Sequence, residues 1–513
     1  MAIPWFIERQ LAFYRRLIDA LSDPARRNRV MLALALAYAI CWTLYATIAK
    51  SSQGMNADMA EMVVWGGHFE WGYPKHPPFL PWVIGAWFAV MPRADWAFYL
   101  LSGLNLGAGL YVSFLLAGEW LEGEKRAIAP FLLALIPFYN FLGLKLDQNS
   151  GMIVFWALTI WAFMRSLDTR KASYAAIAGL AAAATVLTKY WGAFLVLALI
   201  LAALYDRRRS LYFRSAAPWV SALIGGIIVA PHVVWLIQND FPPTKWVATR
   251  RMAATLAEAL GSLPEYTFGT LGYAAAALIV VAIFARPTIA ASRDSLLPRE
   301  PERRTAAIIF WVPLLVPYAF AFVSYTNLLS LWNTASLALL PVILLSSPLV
   351  TLRREGMPWI AATAATITIA PLLVAPLIAY ATVKTGVENY AAYARPAAAR
   401  IESEWKATTA APLKILAGPF ALADTAAFYL SERVETWADY SSYLSPRINE
   451  RVIARDGMAI ICSADDPGCL GVIDAEMKKG AMGRRTEVEI VPRWFGFAGT
   501  PNKFIIATIA PHS

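Results

Sequence analysis

Long apolar runs alternate with short polar segments along most of the chain, from about residue 31 to residue 383. An apolar run of about 18 residues or more predicts a membrane-spanning helix. Eleven runs are candidates, although some are shorter than this: 31–49, 96–117, 127–143, 151–165, 173–188, 190–205, 216–237, 265–285, 306–323, 334–350 and 358–383. A further run, 79–91, is short and flanked by prolines, which favours a re-entrant or interfacial helix. The pattern therefore predicts an α-helical polytopic membrane protein with about 11 transmembrane helices.

The pattern changes after residue 383. Charges of both signs appear, and short segments such as GMAIICS, TEVEIV and KFIIATIA replace the long apolar runs. Such segments predict β-strands, whereas the intervening DTAAFYLSERV predicts a helix. We therefore divide the chain into a transmembrane domain, 1–383, and a small soluble α/β domain, 384–513, which we expect to shape access of an acceptor.

Composition and charge support the membrane assignment. The chain is 58% hydrophobic and only 16% charged, whereas soluble proteins average about 25% charged residues. A net charge of +10 would suggest nucleic acid binding in a soluble protein, but here the basic residues follow topology. With the N-terminus inside and eleven spans, most Lys and Arg before residue 384 fall in inside loops. This predicts an N-terminus on the cytoplasmic side of the membrane, a C-terminal domain on the outer side and no nucleic acid partner.

Two chain segments add detail to this topology. The N-terminal 30 residues are amphipathic and Arg-rich, so we expect them to lie along the inner membrane surface instead of forming a cleaved signal peptide. Cys462 and Cys469 are close together in the C-terminal domain. In an oxidising outer compartment such a pair is expected to form a disulfide, with two free thiols as the alternative.

The first outer loop carries the densest group of reactive side chains. Asp58 and Glu61 are three residues apart, so a helix would place both on one face. The stretch FEWGYPKHPPFLPW then holds Lys75 and His76 between prolines. A carboxylate can act as a general base, and Lys and His can hold a phosphate. The simpler interpretation of Asp58 is an acid favoured by the helix dipole.

Other outer loops add polar residues close to membrane depth, where they are costly unless they face a cavity. They are Asp147 in KLDQNS, Lys189 in LTKYWG, His232 in PHVVW, and Lys245 and Arg250 in the following loop. Each has a simpler interpretation: a solvated turn, a snorkelling lysine, a packed histidine, or attraction to anionic headgroups. Taken together, they predict a site for an anionic, lipid-borne substrate beside a base.

The chain has no nucleotide-binding motif of the GxxxxGK[ST] or Rossmann type. Energy for a reaction would then have to come from a lipid-linked activated group. Asp58 and Glu61 could hold a divalent ion, but the spacing of His and carboxylates gives no firm ligand set. We expect metal-independent catalysis and no cofactor.

The order of these motifs resembles a known family. An acid in the first outer loop is followed by GYPKHPPFLPW, LDQNS, LTKYWG, PHVVWLIQNDFPP and a soluble C-terminal domain. This resembles the bacterial polyprenyl-phosphate-sugar-dependent glycosyltransferases with the GT-C fold, relatives of the protein O-mannosyltransferases and of the transferases that add aminoarabinose or galacturonic acid to lipid A. The resemblance covers about residues 30–350.

The resemblance implies an inverting transfer of a sugar from a polyprenyl-phosphate donor to a glycolipid, glycan or protein acceptor. It implies that Asp58 is the catalytic base, that Lys75 and His76 help to bind the donor phosphate, and that Asp147 lies at the active site. From their positions in the outer loops we add Lys189, Lys245 and Arg250 to the predicted phosphate site, and Glu61 and His232 to its supporting residues. Aminoarabinose-type relatives have Glu-Lys before the prolines, so Lys75-His76 argues against an identical sugar. The main alternative is a transporter or flippase of lipid-linked saccharides, which would favour mid-membrane polar residues and internal repeats.

Overall fold

The computed structural model describes residues 5–479 and 482–511; residues 1–4, 480–481 and 512–513 of the predicted domains lie outside this description. Up to residue 385 the chain forms the helices α1 Trp5–Ser22, α2 Arg27–Ala49, α3 Ala57–Gly66, α4 Phe79–Val90, α5 Asp95–Ala117, α6 Gly123–Ala134, α7 Met152–Thr169, α8 Ala172–Thr188, α9 Gly192–Tyr205, α10 Arg209–Phe213, α11 Ala217–Gln238, α12 Pro242–Arg251, α13 Leu256–Gly261, α14 Leu263–Phe284, α15 Ile289–Leu296, α16 Pro301–Ser324, α17 Leu340–Leu345 and α18 Met357–Thr385. Short 3-10 helices cover Pro137–Tyr139, Leu142–Leu144 and Ser330–Leu339.

The predicted polytopic helical class is confirmed, whereas the number of spans stays a prediction. Among the described residues, seven helical segments are long and apolar enough to cross a membrane, or eight if the bent pair formed by α6 and the residues 137–144 is one span. All eleven predicted runs fall on helical segments. However, α8 and α9 have only 17 and 14 residues, fewer than the roughly 20 of a full span.

The chain forms two compact units. The first unit contains the described residues up to Trp42, together with Trp71–Phe79 and Ser102–Pro371; the second contains Thr43–Glu70, Leu80–Leu101 and the described residues from Leu372 onward. Most of the segment between α2 and α4 therefore packs with the C-terminal part of the chain, and only the part around the prolines belongs to the first unit. This grouping differs from the division at residue 383 that the hydrophobic pattern predicted.

Helix packing in the first unit relies on small residues. Helix α8 packs against α7 and α11. Gly179 of α8 has no room for a side chain because the backbone of Ser221 in α11 lies against it, and the Ser221 hydroxyl donates to the Ala175 carbonyl at 2.8 Å. Such close contacts are typical of helices that pack within a membrane.

The second unit contains the strands. After α18 it continues with a 3-10 helix, Glu388–Tyr393, and then α19 Ala394–Thr408, β1 Ile415–Gly418, α20 Phe420–Tyr429, β2 Glu435–Ala438, α21 Glu450–Asp456, β3 Met458–Ser463, α22 Pro467–Met477, β4 Gly483–Ile490, β5 Arg493–Trp494, β6 Phe497–Ala498 and β7 Asn502–Ile509. Five strands form one sheet in the order β2-β1-β3-β7-β4. Strands β1, β2 and β3 are parallel, whereas β7 runs antiparallel to β3 and β4.

The sheet has helices on both faces. Strand β3 is buried along its whole length, and its side chains alternate between two cores. Ala459 and Ile461 pack with apolar residues of α19 and α20, whereas Ile460 and Cys462 pack with those of α21 and α22. The predicted small α/β domain is therefore present as a three-layer arrangement, and the sulfur atoms of Cys462 and Cys469 are joined in a disulfide.

Candidate active site

The segment Trp71–Phe79 forms a fixed loop in the first unit. The Tyr73 N–H donates to the His76 carbonyl at 3.1 Å, which closes a tight turn. The flanking prolines are buried, and Lys75 and His76 are half-buried. Gly72 is required because the Trp235 ring lies against its α-carbon. The prolines and this contact hold the basic dipeptide in one position.

His232 fastens this loop to helix α11. Its Nδ1 lies 2.6 Å from the Trp71 carbonyl, which can only accept, so Nδ1 carries the proton. Its Nε2 lies 3.0 Å from the Tyr190 hydroxyl, and in the neutral ring this nitrogen accepts. The ring is 2% exposed and stacks between Tyr190 and Trp235. Both nitrogens are therefore occupied, and His232 supports the loop as a packed histidine.

Lys75, His76 and Lys189 form a basic cluster in the first unit. The pKa of His76 lies well below its usual range, first because the ring is desolvated and then because of the positive charges of Lys189 and Lys75. His76 is therefore neutral at pH 7 and offers a ring N–H in place of a charge. Its ring lies 6.3 Å from that of Trp246. The structure thus brings together three residues that are up to 114 positions apart in the sequence.

Lys189 follows the last residue of α8. Its ammonium donates to the side-chain oxygen of Asn149 and lies over the Trp332 ring, 5.1 Å from the centroid. Burial lowers its pKa to about 7, and the charge of Arg251 lowers it further while that of Asp147 opposes the shift. An additional negative charge nearby, such as that of a phosphate, would stabilise the charged form of Lys189.

Asp147 shapes the loop that holds Asn149. One carboxylate oxygen accepts from the backbone N–H groups of Asn149, at 2.8 Å, and Ser150, at 3.2 Å. The other lies 3.6 Å from the Lys145 ammonium. Asp147 is 6% exposed. This Asx turn makes Asp147 a positioning residue for Asn149, and a negative charge within range of Lys189.

The two basic residues predicted from the loop after α11 are more exposed than Lys189. Lys245 is exposed and pairs with Asp240, and Arg250 is also exposed. The basic residue whose charge acts on Lys189 is Arg251, which is half-buried. No sequence pattern distinguishes two consecutive arginines at the end of α12. Their different exposure becomes visible only in the folded structure.

Asp58 and Glu61 belong to the second unit, on helix α3. The Asn56 side chain caps this helix by accepting from the Asp58 N–H at 3.0 Å, an arrangement that stabilises helix starts. Asp58 lies in the first turn and is half-buried, whereas Glu61 is 4% exposed. The expected helix and its carboxylates are therefore present.

A polar network that the sequence did not indicate holds the start of α3 in the second unit. The Tyr429 hydroxyl accepts from the Met55 N–H at 2.8 Å and donates to the Asp95 carboxylate at 2.7 Å. Asp95 also pairs with Arg395. The Gly54 N–H donates to the Ala391 carbonyl at 2.7 Å. Helix α3 is thus positioned by residues more than 300 positions away in the sequence.

Within the described ranges, no group of three His, Cys, Asp or Glu side chains is arranged to hold a metal ion.

Comparisons with known proteins agree with this architecture. Residues 75–235 match the family described as dolichyl-phosphate-mannose-protein mannosyltransferase. Two proteins of Rhizobium johnstonii are similar to the chain: the lipopolysaccharide core galacturonosyltransferase RgtA is 28% identical over 201 residues (36% of this chain, 38% of RgtA), and RgtB is 27% identical over 248 residues (47% of this chain, 48% of RgtB). The chain therefore matches less than half the length of each relative.

Among solved structures, ArnT from Cupriavidus metallidurans bound to undecaprenyl phosphate superposes with a TM-score of 0.56 at 14% identity, covering 93% of this chain and 97% of ArnT. The fold is thus the GT-C fold of membrane glycosyltransferases. The chain thus has the GT-C fold and is similar in sequence to the protein O-mannosyltransferases and to transferases that modify lipopolysaccharide, which confirms the predicted resemblance.

Proposed function

We propose that the chain is an inverting glycosyltransferase that moves a sugar from a polyprenyl-phosphate donor to a glycolipid or glycan at the periplasmic face of the bacterial inner membrane. The observation that carries this proposal is the cluster formed by Lys75 and His76, on a fixed loop, with Lys189 at the end of α8. Basic groups of this kind suit a phosphate. ArnT, which shares the fold, was solved with undecaprenyl phosphate.

In the proposed reaction, the donor phosphate lies against Lys75, Lys189 and the neutral His76. The acceptor oxygen attacks the anomeric carbon from the face opposite the phosphate, so the configuration inverts. The bond between the anomeric carbon and the phosphate oxygen breaks, and polyprenyl phosphate leaves with the bonding electrons. Its developing charge is stabilised by Lys75 and Lys189 through charge-assisted hydrogen bonds.

The acceptor proton has to be removed as the new bond forms, and we assign this step to Asp58. A general base typically contributes about 10²–10⁴-fold to a rate. Glu61, Asp147 and His232 are proposed as supporting residues. Asp147 acts through Asn149, and His232 through the loop that carries Lys75. Lys245 and Arg250 are weaker candidates for binding the donor phosphate, because Lys245 already pairs with Asp240 and both residues are exposed.

The names of the relatives support the proposed class of acceptor. RgtA and RgtB are named as transferases of the lipopolysaccharide core, which favours a glycolipid or glycan over a protein. The proposed orientation, with the N-terminus in the cytoplasm, rests on the distribution of Lys and Arg. Membrane lipids would surround the polyprenyl tail.

The test is release of polyprenyl phosphate by the purified full-length protein. Polyprenyl-phosphate galacturonic acid is the first donor to try, with envelope glycolipid from a deletion strain as acceptor and mass spectrometry of both products. Wild type should release polyprenyl phosphate only with an acceptor. Asp58→Asn should bind donor normally but transfer at least about 100-fold more slowly, whereas Glu8→Gln on α1 should behave as wild type. A protein that moves donor across vesicles without releasing polyprenyl phosphate would be a flippase.

A further inference from the structure

A second candidate binding site lies entirely within the second unit. A cavity of about 500 Å³ opens beside the C-terminal end of α3, the end of α20 and helix α21. This is the volume range of pockets that hold small ligands. Five basic side chains line it: Arg93, Lys414, Arg433, Arg447 and Arg455. None of them belongs to the donor cluster described above.

The carboxylates of the cavity neutralise only part of this charge. Asp456 pairs with Lys414 at 2.9 Å and with Arg455 at 2.5 Å. Glu435 lies 3.3 Å from His68 and 3.6 Å from Arg447. These are the two acids among the lining residues, so the wall keeps a net positive charge even where ion pairs form.

Arg93 and Arg433 supply the unneutralised part. Arg93 donates to the carbonyl oxygens of Leu430 at 3.0 Å and Ser431 at 2.7 Å, and Arg433 donates to the Phe88 carbonyl at 3.0 Å. Neither guanidinium forms an ion pair with a carboxylate among the residues that the structure describes. Each has N–H groups left over, because a guanidinium carries five.

The two guanidinium groups also act on each other. Burial lowers the pKa of Arg93, and the positive charge of Arg433 lowers it further, whereas the negative charges of Glu432 and Glu402 oppose this shift. Two like charges held at one wall of a low-dielectric cavity repel, and an anion between them would relieve the repulsion. Backbone carbonyls hold both side chains in place, so the site is organised before a ligand arrives.

The lining of the cavity also has an apolar part. It is formed by Val63 and Val64 of α3, Phe428 of α20 and Ile448. A free inorganic ion would make no favourable contact with these apolar side chains, whereas the carbon face of a sugar ring would pack against them. The cavity therefore combines an anion-binding wall with a surface for a ring.

We propose that this cavity binds an acidic sugar, carrying a phosphate or a carboxylate, that belongs to the acceptor. The acceptor assignment rests on the proposed function, but the binding itself does not. Helix α3 connects the cavity to Asp58: Val63 is five residues further along, which at 1.5 Å per residue is about 7.5 Å. An acidic sugar held at the end of α3 would thus leave a neighbouring sugar within reach of the proposed base.

The experiment is calorimetric titration of the full-length protein with glucose 1-phosphate, galacturonic acid, neutral glucose and inorganic phosphate. We expect at least one acidic sugar to bind about tenfold more tightly than glucose and than inorganic phosphate. Arg433→Gln should lower this affinity about tenfold, since it removes one of the guanidinium charges that line the cavity. Arg455→Gln, at an exposed position, is the second variant and should weaken binding severalfold.

Arg451→Gln is the matched control. Arg451 lies one turn before Arg455 on α21, is exposed, and does not line the cavity, so its variant should bind as wild type. Equal affinity for glucose and the acidic sugars, or unchanged binding in both Arg433→Gln and Arg455→Gln, would overturn the proposal. Inorganic phosphate binding as tightly as glucose 1-phosphate would overturn the sugar part and leave a simple anion site.

Transfer assays separate this proposal from the proposed function. With an acceptor that carries the acidic sugar, Arg433→Gln should raise KM about tenfold with kcat unchanged, and with the same acceptor lacking the acidic group it should have no effect. If no transfer occurs in any assay while acidic sugars bind, the proposed function fails and the cavity remains. If transfer occurs but the acidic group changes neither KM nor binding, only the cavity proposal fails.

Discussion

Lys189 provides the sharpest test of the donor site, because its charge changes within the pH range of ordinary assays. Its pKa is lowered to about 7, mainly by burial. A bound phosphate favours the charged form, so it raises the pKa of Lys189 and binding takes up a proton. Affinity for a polyprenyl phosphate should therefore be highest below pH 7 and fall as the pH rises above it.

The size of this effect follows from the charged fraction of Lys189. With a pKa of about 7, about half of the molecules carry the charge at pH 7 and about 1% at pH 9. If only the charged form bound, the apparent Kd would rise about 50-fold over this range. A charge-assisted hydrogen bond is worth about 1.5–3 kcal/mol, which limits the change to roughly 10–150-fold. We therefore expect a 10- to 50-fold loss between pH 7 and pH 9.

The assay is binding of undecaprenyl phosphate in detergent, measured at half-unit steps from pH 7 to pH 9. A phosphomonoester has its second pKa near 6, so the ligand stays dianionic over this interval. His76 stays neutral throughout, because its pKa is already well below the usual range. Lys189→Met should bind weakly with little dependence on pH, and Lys189→Arg should bind with little dependence on pH because a guanidinium stays charged.

Lys171→Met is the matched control, because Lys171 precedes the first residue of the same helix, α8, and is exposed. Its variant should keep the affinity and the pH dependence of wild type. A wild-type Kd that is constant from pH 7 to pH 9 would refute the assignment of the phosphate to Lys189. The same conclusion would follow if Lys189→Met kept the wild-type pH dependence.

Three further predictions concern other parts of the molecule. Tyr429→Phe removes the hydroxyl that joins Met55 to Asp95. It should destabilise the second unit by about 1–3 kcal/mol, measured as a lower Tm. The control Tyr393→Phe removes one exposed hydrogen bond to Thr500 and should lower the Tm less. Reduction of the Cys462–Cys469 disulfide, which joins residues seven positions apart, should lower the free energy of unfolding by about 2.5 kcal/mol, because the open chain regains the entropy of the closed loop. Dithiothreitol should lower the Tm of wild type and leave the Tm of a Cys462→Ala/Cys469→Ala variant unchanged. Transfer should persist in excess EDTA, and loss of activity that one divalent ion restores would contradict metal-independent catalysis.

The elements that the sequence predicted well are those whose own residues determine their environment. Strands β3 and β7 were expected from GMAIICS and KFIIATIA because continuous apolar runs of strand length bounded by turns favour buried strands. A helix was expected over DTAAFYLSERV, and α20 covers only the first six residues of this stretch, because it begins at Phe420 and ends at Tyr429. One face of α20 packs against the sheet. Strand β2 was missed, since its four residues, ETWA, alternate too briefly to distinguish it from a loop.

The candidate site was predicted in part. Lys75, His76 and Lys189 stood out because charged residues near apolar spans are costly without a partner, and the first unit does bring them together. The sequence did not indicate Arg251 in place of Arg250, because the rotation of α12 determines which of the two arginines acts on Lys189. The network at Tyr429 could not be predicted, since it joins residues separated by up to 374 positions that share no local pattern.

The grouping of residues in the two units suggests a division of labour between donor and acceptor. Every group proposed to hold the donor phosphate lies in the first unit, and two of these groups, Lys75 and His76, are on the loop that His232 and Trp235 hold in place. The proposed base and the cavity lined by Arg93 and Arg433 lie in the second unit, at the two ends of helix α3. All polyprenyl-phosphate donors share a phosphate, whereas acceptors differ. An enzyme that changes its acceptor therefore needs to change only the residues of the second unit. Variation in acceptor choice among related enzymes should therefore be sought around α3, α20 and α21, and donor binding should survive exchange of those surface residues.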